Sequence, residues 1–342
     1  RYLHSFPTRR SSDLFAVAAA RAARVEVLIK DEEVPGAQSP GAQSPGEQSP
    51  GELIPGERTL KAPGQDGGRI IALAPLPDGD AHGDLCWHVH DDGADVVGRR
   101  YRVRVDGSDW RPDPASRWNP DDVHGDSVVV SDRTFRWQHH WTGLAWHRFV
   151  IHEIHVGCFT EAGTFAAAIE RLPALAALGI TAVELMPIAD FHGARNWGYD
   201  GVLPFAPDAS YGTPDDLRRF VDAAHGLGLA VLLDVVYNHF GPEGNYLHGL
   251  APAFFDADKQ TPWGAALRVT GPGSAPVRRF FIENAWYWID SFRLDGLRLD
   301  AIHAIHDDSA NHLVAELSAT VQARLAEAPA GQRREGHLVV EN

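Results

Sequence analysis

Five short, mostly apolar runs between residues 149 and 342 collect polar residues toward their C-terminal ends, and that asymmetry limits the fold more than any other feature. "FVIHEIHVGCF" begins at Phe149, "ITAVELMPI" at Ile180, "AVLLDVVYNH" at Ala230, "GLRLDAIHA" at Gly296 and "HLVVEN" at His337. Continuous Val, Leu and Ile runs suit strands buried on both faces, as in a parallel sheet covered by helices. Helical stretches alternate with them: 164–178, then "TPDDLRRFVDAAHGLG", 276–292 and 308–327. The second of these has Thr213 as its N-cap candidate and Gly226 and Gly228 at its end. The alternation predicts an α/β fold. Polar residues gathered at the C-terminal end of each strand predict a (β/α)8 TIM barrel, whose working face is that end. A doubly wound sheet also binds ligands there, but no Gly-rich phosphate loop follows the first strand. Five strands fall short of eight, so residues 149–342 read as the first five strands of an incomplete catalytic barrel. A chain of that extent is expected to be inactive by itself.

The N-terminal part has a different texture. Residues 1–14, "RYLHSFPTRRSSDL", carry no initiating Met and no periodicity, and read as a non-native or disordered leader. Residues 15–110 alternate apolar and polar residues in "RVEVLI" and "YRVRVDG", which predicts an N-terminal β-sandwich. Within it, 35–52 repeats Gly, Ser, Pro and Gln and reads as a flexible insertion that builds no core. Residues 111–148 form a Pro-rich connector. The 31 basic and 46 acidic residues give a net charge of −15, which disfavours nucleic acid and anionic membranes as partners. Two cysteines in 342 residues exclude a disulfide framework and suit a cytoplasmic location. No apolar run approaches the roughly 20 residues of a membrane span.

Three strand ends offer carboxylates: Asp234, followed by Asn238 and His239, then Asp300, then Glu341. Each has a plain structural alternative as a cap, a brace or a salt-bridge partner. Together they would converge on one opening. Arg298 and Asp300, two apart on a strand, share one face. Elsewhere the plain reading holds. "IHEIH" lacks zinc-site spacing, with His152 and His155 on opposite faces of a strand. The aromatic residues of 276–292 recur at helical spacing and belong in a core.

In order and spacing, "DVVYNH", "GLRLDAIHA" and the terminal "VVEN" resemble three short motifs of the α-amylase superfamily of glycoside hydrolases, and "NWGYDGVLPFAPDASYGTPDDL" adds to the likeness. "PDPASRWNPDDVHGDS" and "DAIHAIHDDS" resemble the trehalose-releasing members of that superfamily. The resemblance implies a retaining hydrolase that cuts the α-1,4 bond next to the terminal trehalose of a malto-oligosyltrehalose or related α-glucan. It implies Asp300 as nucleophile and Glu341 as general acid/base. Tyr199 would stack on the reacting sugar, His239 would hydrogen-bond it, and His303 would serve the +1 side. Asp234 and Asn238 would be supporting residues, and Trp197 is either a sugar platform or packing. No cofactor and no metal is implied, and no residue matches the third carboxylate of the superfamily. The alternatives are a glucan branching enzyme and a non-catalytic glucan-binding protein.

The chemistry sets further expectations. Retention needs a nucleophile and an acid roughly 5 Å apart. Arg298 is expected to lower the pKa of Asp300, while enclosure and neighbouring carboxylates raise that of Glu341.

Overall fold

A computed structural model of the chain describes residues 13–18, 24–34, 68–75, 86–90, 96–131, 134–329 and 334–342. The expected insertion at 35–52 lies outside them, apart from its flanks, as do residues 1–12 of the expected leader. Its last two residues, Asp13 and Leu14, lie in a strand in which Asp13 pairs with His90.

The N-terminal strands are β1 (Asp13–Ala18), β2 (Val25–Glu33), β3 (Gly68–Ala72), β4 (Ala74–Pro75), β5 (Cys86–His90), β6 (Arg99–Val105) and β7 (Ser127–Val128). They form two antiparallel sheets, ordered β1-β5-β4 and β3-β2-β6-β7. The alternation of β2 turns Val25, Val27 and Ile29 inward against Tyr101 and Val103 of β6. Glu26, between them, is buried and held by Arg24 and Arg104. The 111–148 segment is less of a connector than its composition implies. It supplies β7, which pairs with β6, and buries Ser116, Trp118, Asn119 and Val123. A two-residue strand among Pro and Asp is too short to show alternation.

The second half contains β8 (Ile151–Ile154), α1 (Val156–Phe159), α2 (Phe165–Ile169), α3 (Leu172–Ala177), β9 (Ala182–Leu185), β10 (Ala189–Asp190), β11 (Leu203–Pro207), α4 (Pro214–Gly226) and β12 (Ala230–Val235). There follow α5 (Leu247–Leu250), β13 (Phe255–Thr261), β14 (Gly264–Leu267), α6 (Ala275–Ser291), β15 (Gly296–Leu299), α7 (Leu313–Ala326) and β16 (His337–Val340). All five expected strands join one parallel sheet, ordered β16-β15-β12-β9-β8. Every residue of β9 and β12 is buried, as their mostly apolar runs require, whereas of the outer strands β8 is largely exposed and β16 half-buried. Gly296 lets β15 approach β16 closely: a Cβ there would stand 2.3 Å from the His337 carbonyl oxygen.

Helix boundaries follow local chemistry. Thr213 and Asp216 form a reciprocal capping box on α4, with Pro214 in the first turn. The helix expected over 164–178 is two, α2 and α3, because Pro173 has no N–H to donate to the Ile169 carbonyl and its ring crowds that carbonyl. The first strand stops at Ile154, and His155 begins α1. The last helix starts at Leu313 rather than 308, since Asp307 organises the preceding turn. The aromatic residues of α6 are core: Phe281 is 0% and Trp288 1% exposed, each such burial being worth about 2 kcal/mol.

At the N-terminal end of the parallel strands, Asp295 is fully buried. It accepts from Trp141 Nε1 (2.6 Å), the Val231 N–H (2.8 Å) and His225 Nε2 (2.9 Å), and Trp141 stacks on His225. This clamp fixes the 134–148 segment to the sheet.

Candidate active site

The register of the sheet assembles the other end. Asp234 of β12 lies opposite Arg298 of β15, and Leu299 lies opposite Val340 of β16. Asp300 and Glu341 therefore leave their strands side by side. Backbone bonds hold both: the Asp300 N–H donates to the Val235 carbonyl (3.0 Å) and the Glu341 N–H to the Leu299 carbonyl (3.0 Å). Directly after Asp300 the chain turns through Ala301 in a left-handed conformation, φ 40°. That turn aims the Ala301 N–H at Glu341 Oε2, 2.9 Å away.

Arg298 is the cation at the centre. Its Nη1 is in close contact with Asp234 Oδ2 and stands 3.7 Å from Asp300 Oδ1. Nη2 reaches Glu341 Oε1 at 3.0 Å, and Nε lies 4.0 Å from Glu184 Oε1 on β9. Tyr199 is half-buried and its hydroxyl donates to the same Asp234 oxygen at 3.0 Å. Asn238 Nδ2 donates to the Asp300 carbonyl and to Asp300 Oδ2, at 3.0 and 3.1 Å. The three carboxylates, Arg298, Tyr199 and Asn238 thus form one connected cluster.

The electrostatics correct the expectation drawn from the sequence. The Asp300 carboxyl is held above its ordinary range, chiefly by burial and also by Glu341, against the lowering pull of Asn238 and Arg298. Glu341 moves the other way. The Ala301 N–H is the main cause, helped by Arg298 and by a hydrogen bond with Asp300, and burial of the partly exposed side chain opposes them. Arg298 therefore does not depress Asp300 overall, since its shortest contacts go to Asp234 and Glu341. Asp234 is pushed up to about 7 by burial, despite Arg298 and Tyr199. Glu184 is also raised, again by burial.

His239 is buried, with Nε2 3.1 Å from the Tyr199 carbonyl oxygen and Nδ1 against Asn238 Oδ1. Both ring nitrogens thus already have partners within the protein. Burial lowers its pKa, and a neutral imidazole donates to only one of those two oxygens. His303 is exposed and near enough to Glu341 to help lower its pKa. Trp197 is 75% exposed. Its loop is fixed by Gly198 at φ +98°, where a Cβ would stand 1.9 Å from the Pro187 carbonyl oxygen. His155 Nε2 contacts the Asn196 carbonyl oxygen at 2.7 Å, a role within the fold.

Two site residues escape the sequence reading. Glu184 is hidden inside an apolar strand. Trp263, 49% exposed at the turn of the β13–β14 hairpin, lies against His239 with ring centroids 5.5 Å apart. An exposed Trp beside a Gly at a hairpin turn is the signal that could have found it.

Convergent carboxylates around an arginine, at the carboxyl ends of parallel strands, define a barrel-type site for acid–base chemistry. Residues 120–261 match the family model for the alpha-amylase catalytic domain. The chain is 47% identical over 226 residues to a malto-oligosyltrehalose trehalohydrolase from Saccharolobus solfataricus, covering 66% of this chain and 40% of that protein. It is 36% identical over 199 residues to a 1,4-alpha-glucan branching enzyme from Vibrio cholerae, covering 52% of this chain and 26% of that protein. A crystal structure described as an alpha amylase from Salmonella typhimurium superposes with a TM-score of 0.71 at 38% identity, over 95% of this chain and 47% of that one. The chain thus spans about 40% of the length of the curated trehalohydrolase.

Proposed function

We propose that the protein of which this chain forms part is a retaining glycoside hydrolase that cuts the α-1,4 bond next to the terminal trehalose of malto-oligosyltrehalose. The products are trehalose and a shorter malto-oligosaccharide. The observation that carries this reading is the joint presence of Asp300 and Glu341 on adjacent strand ends around Arg298, in a chain 47% identical to a trehalohydrolase. On this reading the five parallel strands open a (β/α)8 barrel, and the two N-terminal sheets face each other as a β-sandwich over 15–110. The location is cytoplasmic. Among the described residues no helix is long and apolar enough to cross a membrane.

Asp300 attacks the anomeric carbon while Glu341 protonates the departing oxygen, giving a glycosyl-enzyme that water hydrolyses with Glu341 now acting as base. These roles require a protonated Glu341 and an ionised Asp300, opposite in sense to the shifts of the two groups in the free site. A glucosyl ring entering between the two carboxyls would separate them and strip water from Glu341. Asp300, freed of the Glu341 charge, would then be ionised beside Asn238 and Arg298. Tyr199, Trp197 and Trp263 offer ring faces to the sugars. His239 and His303 offer ring nitrogens, His239 after exchanging one of its present partners. Asp234 and Asn238 hold Arg298 and Asp300 in place.

The test offers the whole protein maltotriosyl trehalose and maltopentaose in parallel and separates the products. Trehalose from the first, with little action on the second, supports the reading. New α-1,6 linkages would move it to glucan branching, the activity named for the 36% identical relative.

A further inference from the structure

Outside the carboxylate cluster, the most heavily engaged charged side chain near the site is Arg278, in the first turn of α6. Its Nε donates to Glu316 Oε2 (2.7 Å) on α7. Nη1 donates to the Val269 carbonyl and to Asp307 Oδ2, both at 2.7 Å, with Ser309 Oγ at 3.4 Å. Nη2 donates to the Asn311 carbonyl and stands 2.6 Å from Glu316. Every guanidinium nitrogen is thus occupied, in a fork that the three donors of a lysine cannot reproduce. Asp307 completes the hub. Its side chain is fully buried, it also accepts from the Ser309 and Leu313 N–H groups, and these bonds with Arg278 hold it ionised against burial, at about 2.

The segments gathered by Arg278 flank the catalytic pair. Val269 lies two residues after the strand pair that carries Trp263, whose ring lies against His239. Asp307, Ser309 and Asn311 belong to the 302–312 loop that leaves Asp300 and carries His303 beside Glu341. Lys259 Nζ to Asp308 Oδ2, 3.0 Å, joins hairpin and loop a second time at the surface.

We propose that Arg278 is a positioning residue that locks the 302–312 loop to the β13–β14 hairpin and thereby sets the leaving-group side of the site. The inference rests on the hydrolase reading above for its substrate. A loop displaced by even 1 Å misplaces His303 relative to Glu341 and loosens the grip on the departing sugar, whereas Asp300 is held from the sheet and stays put.

The test uses Arg278→Lys in the whole protein with two substrates that differ only in what departs. Malto-oligosyltrehalose needs an ordered leaving-group wall, but α-maltosyl fluoride releases fluoride and needs none. The expected result is a fall of about 10-fold or more in kcat/KM for malto-oligosyltrehalose, with fluoride release within twofold of wild type. Faster amide hydrogen exchange over 302–312 should accompany it. Equal loss on both substrates would mark a merely structural role, and no loss on either would also overturn the proposal. If Arg278→Lys fails to fold, Glu316→Gln loosens the same hub from the outside and should shift the same ratio in the same direction. Should the wild type release fluoride yet ignore malto-oligosyltrehalose, the trehalose reading falls. The hub is then judged by the same ratio on whichever α-glucan the wild type cleaves.

Discussion

Arg298 stands nearer to Glu341 than to Asp300: 3.0 Å from Oε1 of the first and 3.7 Å from Oδ1 of the second. Its closest carboxylate is Asp234, which is fully buried. One guanidinium therefore neutralises a support residue and the proposed acid at the same time. Replacing it with Met leaves Asp234 buried without its cation, which costs about 3 kcal/mol of stability. Arg298→Lys should fall between, because a single ammonium cannot span both partners. Urea unfolding at pH 7 measures this, and a Met variant within 0.5 kcal/mol of wild type would sink the account.

Asp300 and Glu341 are in contact, so each titrates under the influence of the other. Removing the Glu341 charge by Glu341→Gln takes away one cause of the raised Asp300 pKa. Carbon-13 titration of the Asp300 carboxyl should then show it lower than in wild type. A value that stays put or climbs would mean that the two groups do not share a proton. In the whole protein, Asp300→Asn should abolish turnover while α-glucan binding persists. Turnover near wild type would remove Asp300 from the nucleophile role.

Asp234 gives stability a defined pH dependence. Its folded pKa, about 7, lies above the ordinary 3.8, so the folded state binds the proton more tightly than the unfolded chain. The resulting stabilisation is complete below the unfolded value and is lost as pH rises to about 7, up to roughly 4 kcal/mol in all. Glu184 and Asp300, also raised, act in the same direction. Asp307, lowered to about 2, acts in the opposite sense and lower down, losing its contribution as pH falls from about 4. Unfolding free energies at pH 4, 5.5 and 7 should decline for wild type and decline less for Asp234→Asn. Parallel slopes in the two proteins would contradict the raised pKa.

What was legible in the sequence was whatever a single run of residues determines. The apolar stretch from Ala230 to Leu233 in β12 required a strand buried on both faces, and Thr213 with Asp216 required a helix start. The same periodicity placed Phe281 and Trp288 in the core. The proximity of Asp234, Asp300 and Glu341 was legible too, because parallel strands bring equivalent ends together. The direction of each pKa shift was not. It depends on whether Glu341 is exposed and on which oxygen Arg298 reaches, and both are set by side-chain geometry across strands. Trp263 and Arg278 were missed for a related reason. Their meaning comes from partners in segments distant in sequence, His239 for one and Asp307 for the other.

The far end of the sheet offers a test that separates stability from chemistry. Asp295 precedes β15 and Asp300 follows it, and five residues of strand place them about 16 Å apart. Asp295 accepts from Trp141, Val231 and His225 with no exposure to water. Asp295→Ala leaves those donors buried and unpaired and should cost about 3–5 kcal/mol. Trp141→Phe keeps a ring to stack on His225 and loses only one hydrogen bond, a cost of about 1 kcal/mol. Since neither change reaches the Arg298 cluster, Trp141→Phe in the whole protein should keep kcat/KM within about twofold of wild type, given that surface and anchor changes of this size leave most of the fold populated. Chemical denaturation beside steady-state kinetics distinguishes the outcomes. A large loss of kcat with little loss of stability would mean that the clamp around Asp295 is coupled to the catalytic end and is not a simple anchor.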